Sequence, residues 1–330
     1  MDQQNKLAVS IDDDAISMAW VDQDRNLALP EKWPITRFST LTDALLAYEK
    51  SSGKRLLGAA CALGVLGVTF GEAVMFKRGN WAISRSGLRS IFGCDAIVIN
   101  HVAACAWATV YGAGSNLDSL SAVTMDPPDF SRRGRWALTN VGGGVGLAVI
   151  DVDELGDIRV LECEMGHCGF APATEEDRAL AKAIAAQGHP LVSWEMVLVL
   201  SPGDPIWSAP RLPTTHAERA AMLARLLGRY VGDTVLAHGA WGGAIVTGKR
   251  IGETAAGAGL PGFNAGFESK PKYQRLIRAT PRWRLAGQEL TLAGCAIVLE
   301  RNSVMARAKA NLQGASHSGA ILNSPSDGRA

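Results

Sequence analysis

The feature that most constrains the fold is a corner. The run Ala96 to Ile99 is rich in β-branched residues and reads as a buried strand. The apolar segment Val102 to Val110 follows without a break and reads as a helix, which leaves Asn100 and His101 on the turn between them. In an α/β sheet, ligands gather at such carboxyl ends of strands, although a core strand can also end in two polar residues.

The rest of the chain repeats the alternation. Leu7 to Ser10 and Ile16 to Val21 form two strands joined by the acidic turn Asp12-Asp13-Asp14. Thr40, Thr42 and Asp43 offer caps for a helix over Ala44 to Lys50, Arg55 to Leu63 is the next strand, and the glycine-rich passage Gly64 to Gly71 leads to a strand over Ala73 to Phe76. Ser84 caps a helix over Ser86 to Phe92 that ends at Gly93. After a polar break, Gly112 to Ser119, and a proline-containing loop, strands follow at Trp136 to Thr139 and Gly146 to Asp151 around the turn Gly142-Gly143-Gly144. Helices at Thr174 to Ala186, Val192 to Leu200 and Thr214 to Val231 alternate with strands near Thr234 to Ala237 and Gly243 to Val246. Strands alternating with helices specify a parallel or mixed sheet with crossovers.

Composition removes several classes of function. A net charge of +1 over 330 residues provides no field for nucleic acid or an anionic membrane. There is no window of 18 apolar residues and no signal peptide, so the expectation is a cytoplasmic protein. The six cysteines lack paired spacing and read as buried thiols rather than a disulfide or zinc framework.

Four blocks carry a resemblance. They are Asn80 to Trp107 (NWAISRSGLRSIFGCDAIVINHVAACAW), Glu162 to Glu176 (ECEMGHCGFAPATEE), Val192 to Leu198 (VSWEMVL), and Gly242-Gly243 before a strand with Thr247-Gly248 after it. In residue type and order they resemble the bacterial glucokinase family. The resemblance implies an α/β, two-domain ribonuclease-H-like (actin-like ATPase) fold with a cleft between a small and a large α/β domain. We expect the small domain over 1–110, joined by a helix near 300–312, the large domain over 111–299, and a flexible tail over 313–330. It further implies a homodimer.

The same resemblance sorts the site residues. Asn100, Glu164, His167 and Glu195 stand at the family's sugar positions with the family's residue types. A hexose offers hydroxyls that both donate and accept, which an amide, an imidazole and carboxylates can satisfy. Positions that handle ATP and Mg2+ differ. Where the family opens with Asp-x-Gly-Gly-Thr, the corresponding run here is Ile11-Asp12-Asp13-Asp14-Ala15, with both glycines replaced by aspartate and the hydroxyl lost. Each carboxylate repels a phosphate by about 1 to 4 kcal/mol at ~4 Å, depending on the effective dielectric. The second phosphate turn keeps Gly142, Gly143, Gly144 and Gly146, but Val145 replaces its Thr; Gly142 to Gly146 could equally be a plain strand connection. On the adenosine side Gly248 is kept and Lys249 replaces a glycine, either filling the nucleotide's space or binding phosphate.

The family's general base is the Asp of its Asn-Asp pair, and this chain has His101 there. These substitutions point to a glucose- or hexose-binding pseudokinase that acts as a sensor or regulator, with no resident metal. The alternative is an active ATP:glucose 6-phosphotransferase with His101 as base. A third idea is a zinc site built from His101, Cys163, Glu164 and His167.

Overall fold

The computed structural model describes residues 4–69, 71–75, 81–112, 116–121, 125–255, 257–287 and 289–303. Phe76, Asn80, residues 304–312 of the expected helix near 300–312, and the expected tail over 313–330 lie outside them. Among the described residues the chain divides into two compact units. One runs to Ile99 and resumes at Cys295, and the other is Asn100–Gly294. The division thus falls one helix earlier than the expected boundary at 110.

The first unit holds a five-stranded sheet in the order β3-β2-β1-β4-β7. β1 (Lys6–Ile11) and β2 (Ala15–Val21) pair antiparallel, and β2 pairs with β3 (Leu27–Pro34) across a register shift between Met18 and Trp20. α1 (Leu41–Ser52) then crosses to β4 (Ala60–Val65), which runs parallel to β1. Helix α1 begins where its sequence dictates. Thr40 accepts from the Asp43 amide and the Asp43 carboxylate accepts from the Thr40 amide, a reciprocal cap. β5 (Ala73–Met75) pairs with β6 (Ala82–Ser84), α2 (Arg85–Phe92) is capped by Ser84 and closed by Gly93 at φ 73°, and β7 (Ile97–Asn100) completes the sheet. Leu7, Val9, Ile11, Ile16, Met18 and Leu63 are fully buried in this unit's core.

The second unit opens with α3 (His101–Tyr111) and holds a six-stranded sheet in the order β11-β10-β9-β12-β13-β8. β8 is Leu117–Ser119. β9 (Gly134–Val141), β10 (Val145–Val152) and β11 (Ile158–Cys163) form an antiparallel meander. α4 (Glu175–Ala185), α5 (Trp194–Leu198) and α6 (His216–His238) follow, and β12 (Gly243–Thr247) returns parallel to β9. α7 (Ile251–Thr254), α8 (Leu260–Glu268) and α9 (Gln274–Ala279) lead to β13 (Arg282–Leu285), and a helix α10 spans 290–303. Both units therefore use the order strand, strand, strand, helix, parallel strand.

Alternation buries both faces of the second sheet. Along β9 and β10, Ala137, Val141, Val145 and Leu147 join the core that contains α6, whereas Trp136, Leu138, Ala148 and Ile150 join the core that contains Val102 and Cys105 of α3. Among the described residues no helix is long and apolar enough to cross a membrane, and no disulfide joins the six cysteines; Cys61, Cys105 and Cys295 are buried and Cys168 is exposed.

Several expectations need correction. The segment Thr234 to Ala237 is not a strand; it is the last turn of α6, which runs 23 residues to Gly239 at φ 61°. The β-branched pair Thr234 and Val235 suggested extended backbone. However, Leu223, Leu226, Leu227, Tyr230, Val231 and Val235 recur at helical spacing and are all buried. The strand expected from Arg55 begins only at Ala60, and the helix expected over Val192 to Leu200 is confined to Trp194–Leu198. The polar break Gly112 to Ser119 contains edge strand β8. Arg135 lies in β9, one residue before the strand start expected at Trp136, and pairs with Asp151 at 2.9 Å.

Candidate functional site

The corner between β7 and α3 is built by Asn100. Its Oδ1 accepts from the Val102 amide at 2.8 Å and caps α3, and its own amide donates to Glu162 Oε1 at 2.8 Å. These bonds fix the amide's orientation. His101 is the half-buried first residue of α3. The start of α3 lies close over β10 because Gly146 has no Cβ; a methyl there would overlap the Val102 side chain.

Opposite this corner, Val141 and Val145 pair across the three-residue turn Gly142 to Gly144, closed by the Gly142 amide donating to the Gly144 carbonyl at 2.9 Å. The turn holds a carboxylate. The Val145 amide donates to Glu195 Oε2 at 3.0 Å, and a Cβ on Gly144 would come within 2.9 Å of that same oxygen. A tight turn over Met165–His167 rests against Val145, where Gly166 again leaves no room for a side chain. The segment after it is stitched to α5. The Phe170 amide donates to Val192, the Trp194 amide donates to Cys168, and Ser193 caps α5 by accepting from Met196.

This stitching brings His167 Nε2 to 3.7 Å from Glu164 Oε2 and 3.9 Å from Glu195 Oε2. The side chains of His167, Glu164 and Glu195 are 47%, 40% and 21% exposed, so all three are reachable by a dissolved ligand. Asn100 is tied to Glu162, two residues before Glu164 in the chain. Glu162 lies in β11, and Glu164 follows its last residue, Cys163, where the backbone leaves the strand. Glu162 was present in the sequence motif but carried no signal that it would anchor Asn100.

Three aromatic rings pack edge to face next to this group. Phe170 and Trp194 meet at 4.9 Å between ring centroids, and Trp194 and Tyr230 at 5.5 Å. Arg229 covers Trp194 at 5.2 Å, donates to the Ala171 carbonyl and pairs with Asp177 at 3.0 Å, while Arg225 pairs with the other Asp177 oxygen at 2.6 Å. Burial alone would raise the Asp177 carboxyl. The bonds from Arg225 and from the Ala173 and Thr174 amides outweigh it and hold the group below the ordinary carboxylate range. Burial, with Glu164 and Glu162 nearby, pushes the Cys163 thiol up, away from the reactive thiolate.

The positions expected to face phosphate are differently occupied. In the first unit the Asp12 amide donates to the Ala15 carbonyl at 2.8 Å and the Asp13 amide to Asp12 Oδ1 at 2.9 Å. The Asp14 carbonyl accepts from Ile35, and Ala15 is buried. The turn thus spends the Asp12 and Asp13 amides on itself. In the second unit Val145 is buried at 3% exposure, inside the core. Gly248, at φ 113°, packs on the Val141 backbone where no side chain fits, and Lys249 is exposed. Arg250, which the sequence reading passed over, donates from Nε to the Gly142 carbonyl at 3.1 Å and from its amide to Val141 at 3.2 Å. Among the described residues no group of three or more histidine, cysteine or acidic side chains is placed to hold a metal ion.

Comparison with known proteins agrees with this architecture. The glucokinase family model matches residues 15–201 and 213–302, beginning just after the acidic turn. The chain is 25% identical over 284 residues to a glucokinase of Nitrobacter hamburgensis, covering 79% of this chain and 87% of that protein. Among solved structures, a glucokinase from an Antarctic psychrotroph aligns at TM-score 0.70 and 21% identity, over 91% of this chain and all of the other. The glucokinase of Balamuthia mandrillaris, solved with glucose, aligns at TM-score 0.67 and 14% identity, over 90% and 94%. The fold is that of the actin-like ATPases, and the chain belongs to the glucokinase family.

Proposed function

We propose that this protein binds a hexose, glucose foremost, through Asn100, Glu164, His167 and Glu195, and that it transfers phosphate weakly or not at all, serving as a sugar sensor or regulator. The observation that carries this reading is the convergence of Glu164 and Glu195 on His167, with Glu195 pinned by the Val145 amide. Carboxylates accept from sugar hydroxyls, and the imidazole can donate or accept, so the group matches a vicinal diol.

The glycines bear on the phosphate side. Gly144 and Gly146 are explained by the room they leave for Glu195 and Val102, so their retention serves the sugar side whether or not a nucleotide is bound. The hydroxyl lost at Val145 and the carboxylates at Asp13 and Asp14 both weaken phosphate binding. Histidine in place of aspartate moves the proton acceptor, and transfer rates fall steeply with such misplacement. Titration calorimetry with glucose and separately with ATP and Mg2+ tests the reading. It expects binding of glucose alone; tight binding of the nucleotide refutes it.

One observation favours an active kinase instead. Arg250 is anchored on the glycine turn beside the exposed Lys249, which keeps two cations where phosphates would be handled. In that reading His101 is the general base, ATP and Mg2+ are required, and activity follows the titration of an imidazole.

A further inference from the structure

The four proposed hexose contacts come from separate stretches of the chain. Glu164 and Glu195 both lie beside the His167 imidazole, and the Val145 amide holds Glu195, whereas Asn100 stands on the corner before α3. A site of this kind works only if the spacing between such stretches is fixed by supporting residues.

The start of α3 shows how that spacing is fixed. Helices α1, α4 and α6 each open with a reciprocal cap, in which a carboxylate on the third helical residue (Asp43, Asp177 or Glu218) accepts from the amide of the capping threonine. In α3 the third residue is Ala103, whose side chain has no acceptor. The carboxylate comes instead from Glu162, 62 positions along the chain, whose Oε1 accepts from the Asn100 amide at 2.8 Å. Asn100 Oδ1 accepts from the Val102 amide, so the cap is complete but divided between two distant segments.

Glu162 is a firm support for this bond. β11 pairs with β10 as far as Cys163, and Glu162 lies opposite the fully buried Ala148. Glu164 follows two residues later. One strand end thus carries a proposed sugar contact and the acceptor that holds the Asn100 corner.

We infer that Glu162 is a positioning residue for the hexose site, acting through Asn100 by fixing its distance from Glu164. This inference rests on the hexose-binding reading, and it adds to that site a residue outside the four sugar positions.

The test is a mutant cycle in the full chain, read by titration calorimetry with glucose and by thermal melting. Glu162 is exposed on an edge strand, so its variants keep the fold. Glu162→Ala should weaken glucose binding about tenfold, as for loss of one bond to a charged group. Glu162→Gln keeps an acceptor for the Asn100 amide and should stay within about threefold of the wild type. Asn100→Ser retains a capping oxygen and removes the amide group. Adding Glu162→Ala to it should change affinity by less than about twofold, because the side chain being positioned is already gone. Unchanged affinity in Glu162→Ala overturns the inference, as do losses that simply add in the double variant. A glutamine variant as weak as the alanine one also overturns it, because the charge would then meet the sugar itself. If the wild type binds no hexose, this inference and the functional reading both fail; wild-type binding with an unaffected Glu162→Ala defeats this inference alone.

Discussion

Replacing Glu195 by glutamine separates charge from shape at the centre of the site. The carboxylate accepts from the Val145 amide at 3.0 Å and lies 3.9 Å from His167 Nε2. A glutamine carbonyl can keep the Val145 bond, but as a neutral acceptor it is worth about 1 kcal/mol less than a charged one. The side chain is one-fifth exposed, so this change in folding stability is an upper bound. Hexose binding should suffer more. A sugar hydroxyl donating to the carboxylate makes a charge-assisted bond worth about 1.5–3 kcal/mol, and its weakening predicts glucose affinity about 10- to 100-fold lower. Calorimetry gives the affinity and thermal melting the stability. A variant that loses stability but retains full affinity would refute the assignment, because Glu195 would then be a brace for the glycine turn and not a sugar contact.

Other consequences can be tested in the same way. Asp177→Ala leaves Arg225 and Arg229 without their buried partner and should cost about 3 kcal/mol or more in denaturant unfolding. Because the folded Asp177 carboxyl lies below its ordinary value, its contribution is present above the usual carboxylate range and disappears as pH falls through the folded value. The variant's stability should therefore depend less on pH at the acid end. Gly146→Ala places a methyl against Val102 and should cost about 1–3 kcal/mol while displacing the Asn100 corner, read as lower stability together with weaker glucose binding. His101→Ala should leave glucose affinity within about threefold, since the proposed contacts do not include it; a large loss would make the imidazole part of the sugar site.

Much of this was legible in the chain. The corner at Asn100, the caps at Thr40 and Ser84, and the hairpins on either side of Asp12 to Asp14 and Gly142 to Gly144 follow from local chemistry that the fold leaves intact. The strands missed were edge or half-exposed ones. β3 carries Pro30 and Pro34 and β11 alternates exposed with partly buried residues, so neither shows the continuous apolar run of a central strand. The end of α6 was misread because Thr234 and Val235 favour strands in isolation, whereas packing of the helix decides their state.

At the site, the resemblance pointed to Glu164, His167 and Glu195, and the structure places His167 beside both carboxylates. The contacts of Glu162 and Arg250 join residues 62 and 108 positions apart, for which no local pattern exists. The glycine turn shows the reverse. Its glycines fit a phosphate turn and a plain strand connection equally well in the sequence, and the structure adds a packing reason for Gly144 and Gly146, the room they leave for Glu195 and Val102.

The most direct test of the central claim is a coupled assay for glucose-dependent formation of ADP from ATP and Mg2+, run at glucose concentrations that calorimetry shows to be saturating. The account predicts a saturated hexose site with turnover no faster than the background without glucose. Sustained turnover that rises with an imidazole titration and disappears in His101→Ala would contradict it.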